Sequence, residues 1–297
     1  MPADHPASPR YRDATVRDLA WLLFSPDLLD ADRAGAPLAR PMSSVEERDA
    51  TIEWLDSLDR DPAALHAEVR RPPLKLLGLY AESLLEYFIA HGPHTRLIAA
   101  NVPLRASGLT LGEVDFLLEN ARGERLHWEL AVKFYLHIGG DGGIDTLANF
   151  VGPNLQDRFD IKHGRLLRHQ LGLSARDEFA SLGFEGPWRA ELLVKGRLFY
   201  RDLPASLPSE LAGDHLRGWW KTVSEWRESV GDEVCAVLPR LDWLAERDSS
   251  TAEQVSVENL SSPLMVATYD PDTGRERSRG FIVPDDWPER AARFTTT

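Results

Sequence analysis

The chain has 297 residues, of which 43% are hydrophobic and 27% charged, with a formal net charge of −13. This composition excludes a disordered chain, a collagen-like fibre and a small disulfide scaffold, and the length suits one large domain or two smaller ones. No apolar run approaches the ~20 residues of a membrane span, and the single Cys235 allows neither an internal disulfide nor a thiolate zinc cluster.

In chain order, Met1 to Asp13 is polar and rich in Pro. It lacks both the apolar core of a secretory signal and the pattern of a basic transit peptide. The expectation is a cytoplasmic protein with no membrane association. Thr15 and Asp18 flank the start of an apolar helix, Leu19 to Phe24, which Pro26 follows. Ser44 and Glu47 have capping-box spacing before Ile52, Trp54 and Leu55. Asp61-Pro62 opens a third short helix through Val69, and Pro72-Pro73 stops it. Leu74 to His91 reads as a longer helix ended by Gly92-Pro93.

The pattern then changes to strands at Arg96–Pro103, Leu111–Glu119 and Arg125–Leu136, the last two joined by a turn at Asn120–Glu124. A glycine-rich loop, Gly139–Gly143, precedes a helix over Asn154–Leu171 and a strand over Arg189–Tyr200. The loop lacks the Lys-Ser/Thr of a P-loop and reads as a connector. The last third is mixed, with strands at Leu264–Tyr269 and Gly280–Val283. Trp219 and Trp220 read as core residues, with base stacking as the alternative. Charge follows this division. Residues 1–70 carry −6, residues 71–200 are neutral, and residues 201–297 carry −7. The expected organisation is a helical N-terminal extension (1–70), an α/β core (71–200) and a mixed C-terminal extension (201–297).

The second and third strands form the informative hairpin. A five-residue turn makes facing positions sum to 244, so Val114, Phe116 and Leu118 face Leu130, Trp128 and Leu126. All three pairs are apolar, and a one-residue slip destroys that face. The other face sets Asp115 opposite Glu129, with Ala131 and Lys133 following at the period of two. Facing Cβ atoms lie roughly 5 Å apart. Two such carboxylates repel unless a proton or cation sits between them. Mg²⁺ (or Mn²⁺) suits this set, because it takes hard oxygen ligands and uses one or two carboxylates with water and phosphate. A nearby Lys133 would stabilise an anionic transition state. The plainer reading is a structural salt bridge from Lys133 to Glu129 or Asp115. Glu82 and Glu86 share a face of the preceding helix, and Glu82 sits deeper among apolar residues.

The Glu of that helix, the Asp in Gly112-Glu113-Val114-Asp115-Phe116 and the Glu and Lys in Trp128-Glu129-Leu130-Ala131-Val132-Lys133 resemble the PD-(D/E)XK nuclease superfamily. More narrowly, the chain is similar to the bacterial DUF1853 family. That similarity rests on His127-Trp128-Glu129-Leu130-Ala131-Val132-Lys133-Phe134-Tyr135-Leu136, Gly152-Pro153-Asn154, His215-Leu216-Arg217-Gly218-Trp219-Trp220 and Arg279-Gly280-Phe281-Ile282-Val283-Pro284. The resemblance implies an α/β (α+β), restriction-endonuclease-like core of helix, three strands, helix, strand. It also implies that Asp115 and Glu129 hold a metal ion, that Lys133 is the catalytic lysine and that Glu82 supports the metal water. This chain departs from the superfamily in acid spacing. Ala131 takes the usual place of the second acid, and Glu129 stands one pleat away, roughly 6.6 Å.

Arg158, Lys162, Arg165 and His169 fall at i, i+4, i+7 and i+11 on the following helix, with Arg168 nearby. They read as a phosphate-contacting face or as a solvated basic face. Gln170 points inward, where polar residues of the equivalent helix meet the superfamily's active site. The function expected from these features is metal-dependent hydrolysis of DNA or RNA. The alternative is a catalytically inactive nuclease-fold protein that binds nucleic acid or protein.

Overall fold

A computed structural model describes residues 11–69, 76–139, 145–184, 186–204, 206–229, 234–248, 253–258 and 260–295. Most of the glycine-rich loop and the Pro72-Pro73 stop lie outside these residues. The described chain is a mixed α/β fold. No helix in it is long and apolar enough to cross a membrane.

Helix α1 (Ala14–Phe24) starts at Asp13, whose carboxylate accepts from the Thr15 and Val16 amides. Nine of its eleven residues are buried. Ser44 caps α2 (Val45–Arg60) by accepting from the Glu47 amide. The Glu47 carboxylate accepts from the Ser43 amide at 2.6 Å, one residue before the expected box. The short α3 (Ala63–Glu68) leads to α4 (Leu77–His91). Leu84, Leu85, Phe88 and Ile89 of α4 are fully buried, each contributing about 1.5–3 kcal/mol of burial.

Strands β1 (Thr95–Ala106), β2 (Leu109–Asn120) and β3 (Arg125–His137) form an antiparallel meander. β4 (Phe150–Val151) pairs with the end of β3. The expected helix over 154–171 begins later, as α5 (Phe159–Arg165), and runs into a π-helical turn at Leu166–Gln170. After the short α6 (Asp177–Ala180), β5 (Arg189–Tyr200) lies parallel to β3 along eleven paired residues. A parallel return needs a crossover, which α5 and α6 supply. The chain continues through β6 (Arg217–Thr222), α7 (Val223–Ser229), β7 (Val234–Val237), β8 (Glu253–Gln254), β9 (Leu264–Tyr269), β10 (Glu276–Val283) and α8 (Trp287–Thr295). One sheet takes the order β1-β2-β3-β5-β6-β10-β9-β7-β8. The β3–β5, β5–β6 and β6–β10 pairs are parallel and the rest antiparallel.

The expected register holds for two of the three apolar pairs: Phe116 pairs Trp128 and Leu118 pairs Leu126, with Leu117 opposite His127 between them. The third, Val114 with Leu130, does not form, because the ladder ends at Phe116 and Val114 packs instead with Leu104, Leu117 and Leu173. Phe116, Leu118, Trp128 and Leu130 pack with α1 and α4 on one face. Ala131, Tyr135, Leu192 and Val194 pack with Phe159 and Leu166 on the other. Trp220 is buried and its indole N–H donates to the His137 carbonyl, as expected of a core residue.

β6 flanks β5 only from Leu198 onward. Before that point the N-terminal segment covers the free side of β5. Leu28 N–H donates to Val194 O, Ala39 N–H to Leu192 O, and Leu192 N–H to Pro37 O. Lys195, buried on β5, donates to Ser25 O at 2.6 Å and lies 3.3 Å from Asp27. A second buried tie joins the chain's two ends. Arg247 Nη2 donates to both oxygens of Asp18, at 2.9 and 2.8 Å, and Tyr80 O–H also donates to Asp18.

Candidate active site

The β2–β3 ladder stops at Phe116–Trp128. One step further, the Asp115 carboxylate replaces a strand carbonyl. Leu130 N–H donates to its Oδ2 at 2.9 Å. β2 therefore parts from β3 at Asp115, and the side chain fills the mouth of the wedge. The Asp115 amide points at Glu129 Oε1, 3.4 Å away. Asp115 and Glu129 meet as neighbours, through the Asp115 amide and the Glu129 carboxylate rather than as a ladder pair.

Glu129 is 1% exposed and held at both oxygens. His127 Nε2 lies 2.8 Å from Oε1, and Gln170 Nε2 donates to Oε2 at 3.0 Å. An ionised carboxylate only accepts, so His127 donates from Nε2, and its Nδ1 lies 2.9 Å from Ser174 Oγ. His127 shares the face of Glu129 by the period of two, a signal present in the sequence. Ser174 sits in an irregular turn and has no such signal. Gln170 reaches the site from the π-helical turn, as expected.

Burial, then repulsion from Glu129, pushes the Asp115 carboxyl up to about 8. Glu82 comes from α4 on the opposite face of the sheet. Burial raises its carboxyl too, followed by repulsion from Glu113 and Glu129. The wedge thus joins the two faces electrostatically. Glu82 also lines a groove of about 860 Å³ with Glu68, Glu86 and Asn101.

Lys133 does not pair with Glu129 or Asp115. Its ammonium donates to Asp157 Oδ2 at 2.6 Å, and Tyr135 O–H donates to the same oxygen at 3.0 Å. Asp157 lies in the loop before α5, where no periodicity marks it. Lys133 and Asp157 are 24% and 35% exposed and line a pocket of about 230 Å³ with Asn154, Gln156 and Arg240. Opposite Lys133 on β5 stands Gly196 at φ +150. A Cβ there would lie 1.7 Å from the Lys133 carbonyl oxygen. The glycine lets β5 close on β3 at the lysine.

The basic stripe is shorter than the spacing predicts. Arg158 caps α5 from outside the helix, and its guanidinium is tied to Asp160 and to the Thr295 carbonyl. The π-helical turn then shifts the phase for residues beyond Arg165. Lys162 faces the site. Burial, then Lys133 and Arg165, lowers its pKa, while Asp157 and Asp115 oppose that shift. Arg165 and Arg168 are exposed. Arg168 folds over Gly164, whose missing Cβ makes room for it.

The family model for a domain of unknown function, DUF1853, matches residues 17–283. The chain belongs to that family. No curated protein and no solved structure matches it. In this DUF1853 protein the matched span holds Asp115, Glu129, Lys133 and the residues that fix them.

Among the described residues no three His, Cys, Asp or Glu side chains converge as a metal cage. Mg²⁺ does not need one, since it is commonly bound by one or two carboxylates, with water completing the octahedron. The donors here are hard carboxylate oxygens. Burial first, and repulsion among the acids second, raises the Asp115 and Glu82 carboxyls, and a cation between them would relieve the repulsion. Asp115 and Glu129 are the carboxylates that would hold Mg²⁺ or Mn²⁺, with Asp115 Oδ1 the oxygen outside the hydrogen bonds to Leu130, His127 and Gln170.

Proposed function

We propose that this protein is a metal-dependent phosphodiesterase of the PD-(D/E)XK type, acting on DNA or RNA. The observation that carries this reading is the wedge itself: Asp115 and Glu129 converge there, and Lys162 lies within electrostatic reach of both Asp115 and the Lys133–Asp157 pair. When bound, Mg²⁺ supplies Lewis-acid polarisation of the scissile phosphate and a more acidic water. Asp115 and Glu129 would hold that ion. The Leu130 amide fixes the Asp115 carboxylate, and His127 and Gln170 fix Glu129. Lys133 leaves Asp157 for a phosphoryl oxygen, where its charge stabilises the pentavalent transition state. Lys162 lowers the cost of bringing a phosphate near the carboxylates. The restriction-endonuclease-like core belongs to the same proposal. Helix α4, meander β1–β3, helix α5 and strand β5 follow the superfamily's order.

The second reading is a nuclease-like protein that binds without cutting. It is favoured by the Lys133–Asp157 ion pair at 2.6 Å and by Glu129, both of whose oxygens are already engaged. Cleavage of single- and double-stranded DNA and RNA with Mn²⁺ separates the two. Loss of cutting in both Asp115→Ala and Lys133→Ala supports the nuclease. No cutting by wild type, or equal cutting by all three proteins, supports the binding protein.

A further inference from the structure

The parallel strands β3, β5 and β6 end on one side of the sheet, where a pocket of about 460 Å³ opens. Ligands of open α/β sheets collect at the carboxyl ends of parallel strands, and the volume falls in the range of small-molecule sites. His137 closes β3, Arg201, Leu203 and Pro204 follow β5, Trp220 belongs to β6, and Asp145 completes the wall. His137 stands four residues past Lys133 on β3, roughly 13 Å along the strand. The pocket is therefore separate from the carboxylate wedge and does not depend on the nuclease reading.

Two polar side chains in this wall face each other as an ion pair and still leave hydrogen-bonding capacity unused. His137 is 5% exposed and Asp145 10%. His137 Nε2 lies 3.2 Å from Asp145 Oδ2, yet neither Nε2 nor Asp145 Oδ1 completes a hydrogen bond. Buried polar atoms without partners are rare in folded proteins and costly. The His137 ring is packed against Phe150 and Tyr200, with centroids 5.0 and 5.5 Å away.

The remaining walls are flat or apolar. The Arg201 guanidinium lies 5.5 Å from the Trp220 ring centroid and is paired with Glu225. Its charge is already compensated, so it offers a planar surface rather than a call for phosphate. Leu203 and Pro204 supply apolar contact. Asp145 Oδ1 can only accept, while the His137 nitrogen can donate. That pair matches a ligand edge with an amine next to a ring nitrogen.

We propose that this pocket binds an amino-substituted nitrogen heterocycle of nucleobase size, its amine donating to Asp145 Oδ1 and its ring nitrogen meeting His137 Nε2. Adenosine and purine riboside test this with the full-length chain, because they share a shape and differ only in the presence of the amine. Titration calorimetry and thermal denaturation read the result. Adenosine is expected to bind and raise the Tm, with purine riboside roughly tenfold weaker or worse. Asp145→Ala should remove that preference, since nothing is left to accept from the amine. Leu203→Trp, at a residue 66% exposed, should block both nucleosides and leave the Tm of the free protein unchanged. The proposal is overturned if neither nucleoside binds, which leaves water as the occupant. It is equally overturned if adenosine and purine riboside bind alike, or if adenosine binding survives Leu203→Trp.

Discussion

Replacing Asp115 with Asn tests the electrostatic state of the wedge. The Asp115 carboxyl is raised from 3.8 to about 8 by burial and by Glu129. Each pKa unit corresponds to about 1.36 kcal/mol, which sets a ceiling of about 6 kcal/mol. Glu129 shares the repulsion and the site relaxes, so about 2–3 kcal/mol is the working figure. The folded state keeps the Asp115 proton to higher pH than the unfolded chain does. Its contribution is full below about pH 4 and is lost as pH rises towards about 8. Asn cannot ionise, and it retains an oxygen for the Leu130 amide. Urea denaturation at about pH 5 and about pH 9 reads the difference. Wild type should lose about 2–3 kcal/mol more than Asp115→Asn between the two. Added Mg²⁺ should restore wild type at the upper pH and leave the variant unchanged. Parallel pH profiles for the two proteins would refute the reasoning.

Other substitutions probe the supports. Lys133→Ala should cost only about 1 kcal/mol in chemical denaturation, because its ion pair with Asp157 is a quarter to a third exposed; under the nuclease reading the same variant has no cleavage. Gly196→Ala should cost more than about 3 kcal/mol or prevent folding, since its Cβ would overlap the Lys133 carbonyl; expression yield and Tm report it. Arg247→Met should cost about 3–5 kcal/mol by leaving Asp18 buried and unpaired, and Asp18→Asn in the same chain should recover part of it.

The hairpin was legible because its register is enforced by apolar pairs with a period of two, and Asp115 and Glu129 came with it. Strands over 189–200 and 264–269 were legible for the same reason, as bounded runs of apolar residues. Helix α5 was misplaced at its start because the chain first turns from Gly152 to Asp157, a local bond that no hydrophobic period encodes. Arg158 was assigned to a helical stripe on spacing that assumes an unbroken α-helix, and it lies outside that helix. Asp157 went unseen because the partner of a buried-strand lysine was sought within the sheet, whereas a loop supplies it. The Leu28 and Pro37–Ala39 contacts with β5 were equally hidden, since strand-like pairing by isolated residues leaves no pattern.

Those N-terminal contacts set a schedule for synthesis. Lys195 and the Ser25 carbonyl it holds are 170 residues apart. At roughly 5–20 residues per second, a ribosome takes on the order of 10–30 s to join them. Throughout that interval the segment from Ser25 to Ala39, which follows α1, has no β5 to settle against. Helices α1 to α4 pack on one another and can meet earlier. The segment after α1 waits for the middle of the chain, and closures of such long sequence separation are slow to form.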